Sequence, residues 1–447
     1  MQKKSYLCTK ILLYPMKKSF SFLLFAMMLC AVSSEAQTRY VGGDISMLPL
    51  YEAHNSPYKD AYNKNISDPL TWFITDCGWN TFRVRLFVDP DKTDPSLSQD
   101  LAFVIALGKR IKDAGAYFML DFHYSDTWVD ATHIQAPAAW KGSDDETMAA
   151  HIDSYTREVL TTLNEAGATP DLVQVGNEIM YGLCGIKVAP YDKSDSNWEG
   201  YLGLLRAGCN AVREVCPNAQ IIIHTDRATN QGYNRYYYRK LVNGGVDFDI
   251  IGLSYYPFWH GYLTTLVSAL NLLATDFPTK RVHIVEFAYN FQYWPSSGVN
   301  YDTQDVWACS AKGQYNFVKD VVDELKPLSN VDGINYWFPE EAGNGDDTNW
   351  STSKGTALWT WQNRGFWDTN ITQSGHAINR TVAGYANSLV KPEMICAPYY
   401  MRKFYNDTQG TKTVQEARVK ARKILREGQL LIEMPDGVLF APDGSRR

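Results

Sequence analysis

From residue 40 onward, short apolar runs rich in β-branched and aromatic residues alternate with longer segments whose apolar residues recur every three or four positions. The strand-like runs are Tyr40–Ser46, Thr81–Val88, Tyr117–Tyr124, Leu172–Glu178, Gln220–Thr225, Asp249–Tyr255, Val282–Phe287 and Gly333–Phe338. Between them, Leu101–Ala114, Asp145–Ala166 and Trp198–Val215 predict helices, and Gly115 and Gly167 stand where a C-cap glycine would stop the first two. Strands separated by helices pair in parallel, so the pattern predicts an α/β fold and not a sandwich. Eight such runs fit a closed (β/α)₈ TIM barrel better than an open sheet.

The ends of these runs are polar or aromatic: Asp44, Arg85, Asp121 with His123, Asn177 with Glu178, His224, Tyr255, Glu286 and Trp337. In a barrel they all face one rim, where enzymes of this fold build their active sites. Any single one could be a capped or ion-paired side chain. Together they would cost several kcal/mol to bury around one axis unless they serve one another or a ligand.

Two of them are the pair that glycoside hydrolysis requires. One carboxyl group must protonate the leaving oxygen, and the other must attack the anomeric carbon or activate water. Glu178 ends Val173-Gln174-Val175-Gly176-Asn177-Glu178, and Glu286 ends His283-Ile284-Val285-Glu286, the fourth and seventh runs. The Asn177 amide is placed to bond a sugar hydroxyl beside Glu178. Arg85 and the Tyr255 hydroxyl are expected to hold Glu286 ionised, while burial keeps a proton on Glu178. A carboxyl separation of about 5 Å would fit a covalent double displacement. His123 and His224 lack zinc-type spacing and read as hydrogen-bonding residues, no Gly-x-Ser-x-Gly elbow occurs, and no metal or cofactor is expected.

Composition narrows the partners. The net charge is −6 and no long basic run occurs, which argues against nucleic acid. Aromatic residues make up 13% of the chain, enough to supply flat platforms for sugar rings as well as a core. Lys17 and Lys18, the apolar run from Phe22 to Val32 and the small residues Ser34 and Ala36 predict a signal peptide over 1–36, too short to span a membrane, and hence a secreted protein; a monomer is expected. Met16 would open an ordinary signal by itself, and Leu29 stands before Cys30 where a lipid-attachment site carries a small residue. Cys209 and Cys216, on one helix, lie about 10 Å apart and beyond disulfide reach. The barrel is expected over 37–400. Residues 401–447 form an appendage with a helix over Val414–Arg426 and a hairpin from Gln429–Ile432 to Val438–Phe440 turning at Pro435-Asp436-Gly437.

Longer strings carry a resemblance. Asp121-Phe122-His123-Tyr124-Ser125-Asp126-Thr127-Trp128, Gln174-Val175-Gly176-Asn177-Glu178 and Gly252-Leu253-Ser254-Tyr255-Tyr256-Pro257-Phe258-Trp259 closely resemble family 53 of the glycoside hydrolases, the arabinogalactan endo-β-1,4-galactanases. Gly43-Asp44-Ile45-Ser46, Asn80-Thr81-Phe82-Arg83-Val84-Arg85 and Pro137-Ala138-Ala139-Trp140 fit it in order. The resemblance implies a clan A barrel that cleaves inside β-1,4-galactan with net retention. It implies Glu178 as acid/base, Glu286 as nucleophile, and Asp44, Arg85, His123, Asp126, Trp128, Asn177, His224, Tyr255, Trp259 and Trp337 as subsite or support residues. Trp294 is a further candidate platform. The chain departs from the family where Val129-Asp130-Ala131 follows Trp128 and where Phe287 follows Glu286. Some relatives bind calcium in a late loop, for which Asp346 and Asp347 are the candidates, although a solvated acidic loop is the preferred reading. The alternatives are a clan A enzyme acting on mannan, xylan or β-glucan, and a non-catalytic glycan-binding barrel.

Overall fold

The computed structural model describes residues 38–53, 55–56, 58–189, 193–291, 306–342, 364–367 and 396–405, together with the strands 422–426, 429–433 and 439–440. Eight parallel strands close a barrel: β1 (Tyr40–Asp44), β2 (Thr81–Leu86), β3 (Tyr117–Phe122), β4 (Leu172–Val175), β5 (Gln220–Thr225), β6 (Ile250–Tyr255), β7 (Arg281–Phe287) and β8 (Val331–Tyr336), with β8 pairing back onto β1. Each falls on one of the runs read from the sequence and ends at or before the expected position.

The helices that follow are α1 (Pro69–Thr75), α2 (Leu101–Asp113), α3 (Asp145–Glu165), α4 (Trp198–Val215), α5 (Gln231–Asn243), α6 (Leu263–Asp276), α7 (Ala311–Leu325) and α8 (Ala397–Met401). Side chains that accept a hydrogen bond from the first turn start most of them: Asp100 from Phe103 N–H, Asp144 from Thr147, Asn197 from Gly200, Asn230 from Tyr233 and Ser310 from Gly313. Gly115 and Gly167 take positive φ angles of 79° and 73°, the left-handed turn that ends α2 and α3. No helix of the described residues is long and apolar enough to cross a membrane.

Alternation along the strands sends every second side chain inward. Met119, Leu172, Ile222, Ile250 and Val285 fill the lower interior, with Tyr40 and Tyr117 packed against them. Gly333 is required at this level, because a Cβ there would sit 1.9 Å from the His283 ring. The outward-facing residues form the larger core against the helices. At the barrel's lower end Arg39 donates to the carbonyls of Lys326 and Phe404, and Trp79 Nε1 to Pro398, so Cys396–Tyr405 is tied to the barrel.

Two strands depart from strict pairing: β8 carries an extra residue against β7 between Val331 and Gly333, and β7 carries one beside the site. Between Ile284 and Glu286 β7 advances two residues while β6 advances one, and from Ile284 to Phe287 it advances three while β8 advances two. Both ladders thus place one extra residue in β7, a bulge just before Glu286.

The appendage differs from expectation. Arg422–Arg426 is a strand and not the end of a helix: it pairs antiparallel with Gln429–Glu433, which pairs in turn with Leu439–Phe440. The adjacent Ile424 and Leu425, flanked by basic residues, suit a strand as well as a helix, and a strand partner decides it. The rest of the expected helix lies outside the described residues. All six cysteines from Cys77 onward, Cys209 and Cys216 among them, are free thiols.

Candidate active site

Above the apolar layer the interior turns charged. Arg83 on β2 is buried and stands at its centre: Nη1 is 2.7 Å from Asp44 Oδ2, and Nη2 is 2.7 Å from Asp121 Oδ2 and 3.0 Å from Glu286 Oε1. Nη2 also donates to Asn177 Oδ1 at 2.7 Å. Burial works against the Arg83 charge, but Asp121, Glu286 and Asp44 outweigh it and raise the guanidinium's proton affinity. Removing this cation would take the arginine from Asp121 and Glu286 and leave Asp44 with the longer Arg85 contact at 3.4 Å.

Glu286 owes its place to the β7 bulge. Its Oε2 accepts the Tyr256 hydroxyl at 2.7 Å, opposite the oxygen held by Arg83. Glu178 reaches the same cleft by a tight turn after β4. Gly176 at φ 89° reverses the chain and Glu178 itself sits at φ 47°, a left-handed conformation a non-glycine residue adopts at a cost. Its Oε1 accepts the Ser254 hydroxyl at 2.6 Å, and in the ladder Ser254 lies opposite Glu286. The two glutamates line one cleft of about 270 Å³ together with Arg83, Arg85, Trp128, Asn177, Tyr256, Trp337 and Arg364.

Their environments separate them. Burial pushes Glu178 well above the ordinary glutamate range, and the charges of Glu286 and Asp226 push it further. Burial also raises Glu286, against the pull of Arg83 and the Tyr256 hydroxyl, and the rise is smaller. The Arg83 guanidinium favours the charge on Glu286, and so a proton shared between the two is favoured on Glu178. The expectation that Glu286 is held down outright is corrected, because its burial exceeds what one arginine offsets; the order of the two groups is as expected.

Several side chains sit where the sequence placed them. Asp44 accepts from Ser46 N–H at 3.0 Å and from its hydroxyl at 2.6 Å while facing Arg83. Burial keeps both imidazoles neutral, lowering His123 and taking His224 well below its usual range. His123 Nδ1 accepts from Val129 N–H at 3.0 Å, and its Nε2 faces Asp121 at 3.2 Å. His224 Nε2 lies 2.8 Å from Ser254 Oγ. Asn177 Nδ2 donates to Val129 O at 2.7 Å. Trp128 stands in the cleft with the Arg85 guanidinium 4.2 Å over its ring. Trp259 is 74% exposed on the rim beside Phe258.

Two expectations are corrected. Arg85 lines the cleft but does not meet Glu286. It donates to Gln99 and Asp44, and Arg83, one inward position lower, takes the role assigned to it. Tyr255 points out of the barrel, where its ring stacks 6.1 Å from Phe317 of α7 and its hydroxyl donates to Gly261 O at 2.9 Å; Tyr256 is the residue that bonds Glu286. Asp126 is a tie between loops, accepting from Asp89 N–H at 3.0 Å and Ala138 N–H at 2.7 Å. Trp294, Asp346 and Asp347 lie outside the described residues.

Arg83, Ser254, Tyr256 and Arg364 were missed. For Arg83 and Ser254 the signal is inward alternation with Arg85 and with Ile250. Arg364 belongs to no strand and is brought over the rings of Tyr256, Phe258 and Trp337 by the late segment 364–367, where no periodicity marks it.

Comparison with known proteins agrees with the geometry. The family model "Glycosyl hydrolase family 53" matches residues 40–379. A Niallia circulans protein described as "Uncharacterized protein in bgaB 5'region" is 34% identical over 327 residues, 69% of this chain and 87% of the relative. A "Probable arabinogalactan endo-beta-1,4-galactanase A" of Neosartorya fischeri is 31% identical over 70% of this chain and 87% of its own length. Among solved structures, a family 53 catalytic domain of Ignisphaera aggregans aligns with TM-score 0.66 and 26% identity over 82% of this chain and 96% of that one. A chain from the structure of two fungal beta-1,4-galactanases aligns with TM-score 0.59 and 30% identity over 68% and 90%. The barrel described here, with a glutamate at the end of β4 and another at the end of β7, belongs to a member of glycosyl hydrolase family 53.

Proposed function

We propose that this chain is an endo-β-1,4-galactanase that cleaves with net retention, Glu286 acting as nucleophile and Glu178 as acid/base. The observation that carries the reading is the placement of two glutamates in one cleft, Glu286 held by Arg83 and the Tyr256 hydroxyl and Glu178 by the Ser254 hydroxyl. Relatives named as arabinogalactan endo-β-1,4-galactanases supply the choice of galactan.

In this mechanism a Glu286 oxygen attacks the anomeric carbon as the bond to the leaving oxygen breaks, and Glu178 gives that oxygen its proton. The products are a galactosyl ester of Glu286 and the released chain end. Glu178, now a carboxylate, takes a proton from water as the water oxygen attacks the anomeric carbon. The ester bond breaks, Glu286 leaves as a carboxylate and Glu178 regains its proton. Arg83 and the Tyr256 hydroxyl hold the two Glu286 oxygens and fix the direction of attack. Trp128, Trp337 and the exposed Trp259 offer faces for sugar rings along the cleft. Asp44, Arg85, His123, Asn177 and His224 support the site through the contacts given above. The leader over 1–36 fits an exported enzyme acting on pectin side chains.

The test is the product pattern. Purified enzyme on lupin or potato galactan should give a ladder of short galacto-oligosaccharides from internal cuts, with little release from mannan, xylan or β-glucan. Comparable release from one of those polymers, or binding of galactan without products, would reject the reading.

A further inference from the structure

Behind Glu178 the structure holds two side chains that do not themselves line the cleft and that lead in series to one of its carboxyl oxygens. Ser254 Oγ lies 2.6 Å from Glu178 Oε1, and His224 Nε2 lies 2.8 Å from Ser254 Oγ. Both residues are buried. A hydroxyl has one hydrogen to give. If Ser254 gives it to Glu178, Ser254 Oγ must accept from the imidazole, which requires the hydrogen of His224 on Nε2. Nδ1 then carries a lone pair, and the Glu178 backbone N–H faces it from 3.4 Å.

The other tautomer would put the hydrogen on Nδ1, 3.1 Å from Asn177 Oδ1. That oxygen already accepts from Arg83 Nη2 at 2.7 Å and from Gln174 Nε2 at 3.3 Å, which occupies both its lone pairs. The alternative would also draw the Ser254 hydrogen toward Nε2 and strip Glu178 of its donor. Among the described residues Glu178 Oε2 has no hydrogen-bond partner, so it is the oxygen left for a ligand.

We infer that neutral His224, as the Nε2–H tautomer, and Ser254 form a positioning pair that claims Oε1 of Glu178 and leaves the acidic proton on Oε2, facing the cleft. The inference rests on the reading of Glu178 as acid/base and adds which oxygen does the work and what selects it. Ser254 acts through Glu178, and His224 acts through Ser254.

The pair has a consequence for pH. The charged groups that face Glu178 are Glu286 from β7, Asp226 just beyond β5 and Asp130 from the loop after β3, and all raise its proton affinity together with burial. The Ser254 hydroxyl from β6 acts in the opposite sense. His224 from β5, held neutral, contributes no charge. Losing the hydroxyl therefore favours the protonated form of Glu178 and moves its ionisation to higher pH.

The experiment compares kcat/KM against pH on galactan for the wild type, Ser254→Ala and Ser254→Thr, and reads the His224 tautomer in the wild type from ¹⁵N imidazole shifts. Ser254→Ala should lose about ten- to a hundredfold in kcat/KM and shift the alkaline limb upward by about one pH unit, and Ser254→Thr should restore the limb. The imidazole should be neutral and protonated at Nε2. An alkaline limb that stays in place in folded Ser254→Ala, or an Nδ1–H tautomer, would overturn the inference; the tautomer measurement decides even if the variant does not fold. Glu178→Gln separates the two claims. If it keeps full activity the acid/base reading itself fails, whereas an inactive Glu178→Gln beside an unmoved Ser254→Ala limb sinks the positioning pair alone.

Discussion

The interior of this barrel has two layers, and the same strands build both. Two residues apart on β3, β4 and β5, Met119, Leu172 and Ile222 give way to Asp121, Gln174 and His224. One step of about 7 Å along a strand takes the interior from apolar contact to a network around Arg83. The lower layer gains stability from burial and carries no chemistry. The upper layer costs stability, since its carboxylates are held out of water, and that cost maintains two glutamates of unequal proton affinity. A barrel enzyme thus separates what holds it together from what reacts by depth along its axis.

Substitutions can break that division at chosen depths. The largest effect belongs to the glutamates: Glu178→Gln and Glu286→Gln should each lower kcat on galactan by about a thousandfold or more, with thermal unfolding within a few degrees of wild type. Next is Arg83→Met, which should destabilise the fold by about 3–5 kcal/mol in urea unfolding and abolish activity, because Asp44, Asp121 and Glu286 lose their shared cation. Ile222→Ala in the lower layer should cost a comparable ~2–5 kcal/mol yet leave kcat per folded molecule unchanged. If it lowers kcat as Arg83→Met does, the layers are not separate.

Smaller effects sharpen the comparison. Tyr256→Phe should lower kcat/KM by about ten- to a hundredfold, and Tyr255→Phe, outside the barrel, should leave it almost unchanged. Glu340 offers the least change and a definite sign. It is buried, with Oε1 accepting Met47 N–H at 2.9 Å, and burial raises its proton affinity well above the ordinary range. The folded chain then holds this proton more tightly than the unfolded chain, so stability is lost as pH rises from the ordinary glutamate range toward the folded value. Glu340→Gln should raise the melting temperature at pH 7 by a few degrees and change it little at pH 4. An equal gain at both pH values would remove titration as the cause.

Much of this was legible in the chain. The eight strands, the rim and both glutamates follow from apolar runs that end in polar residues. The errors fall where strand ends were chosen over strand faces. Arg83 and Arg85 share the inward face of β2, and the rim position does not tell which one reaches Glu286. Tyr255 and Tyr256 are adjacent, and counting inward from Ile250 through Gly252 and Ser254 selects Tyr256, a period-2 argument the motif alone obscures. The β7 bulge was not legible: strict alternation from Val285 would turn Glu286 outward, and only pairing with both neighbouring strands reveals the extra residue. Asp126 sits in a string that looks catalytic, but its two backbone donors come from loops far apart in sequence. Arg364 could not be placed from pattern, because it comes from a segment outside the barrel's repeat.

The central claim is that Glu286 attacks carbon while Glu178 handles the proton. Proton NMR of the first sugars released from galactan, read before mutarotation, tests it most directly. The account predicts that the new reducing end appears first as the β-anomer and drifts toward the equilibrium mixture; first appearance as the α-anomer would contradict it.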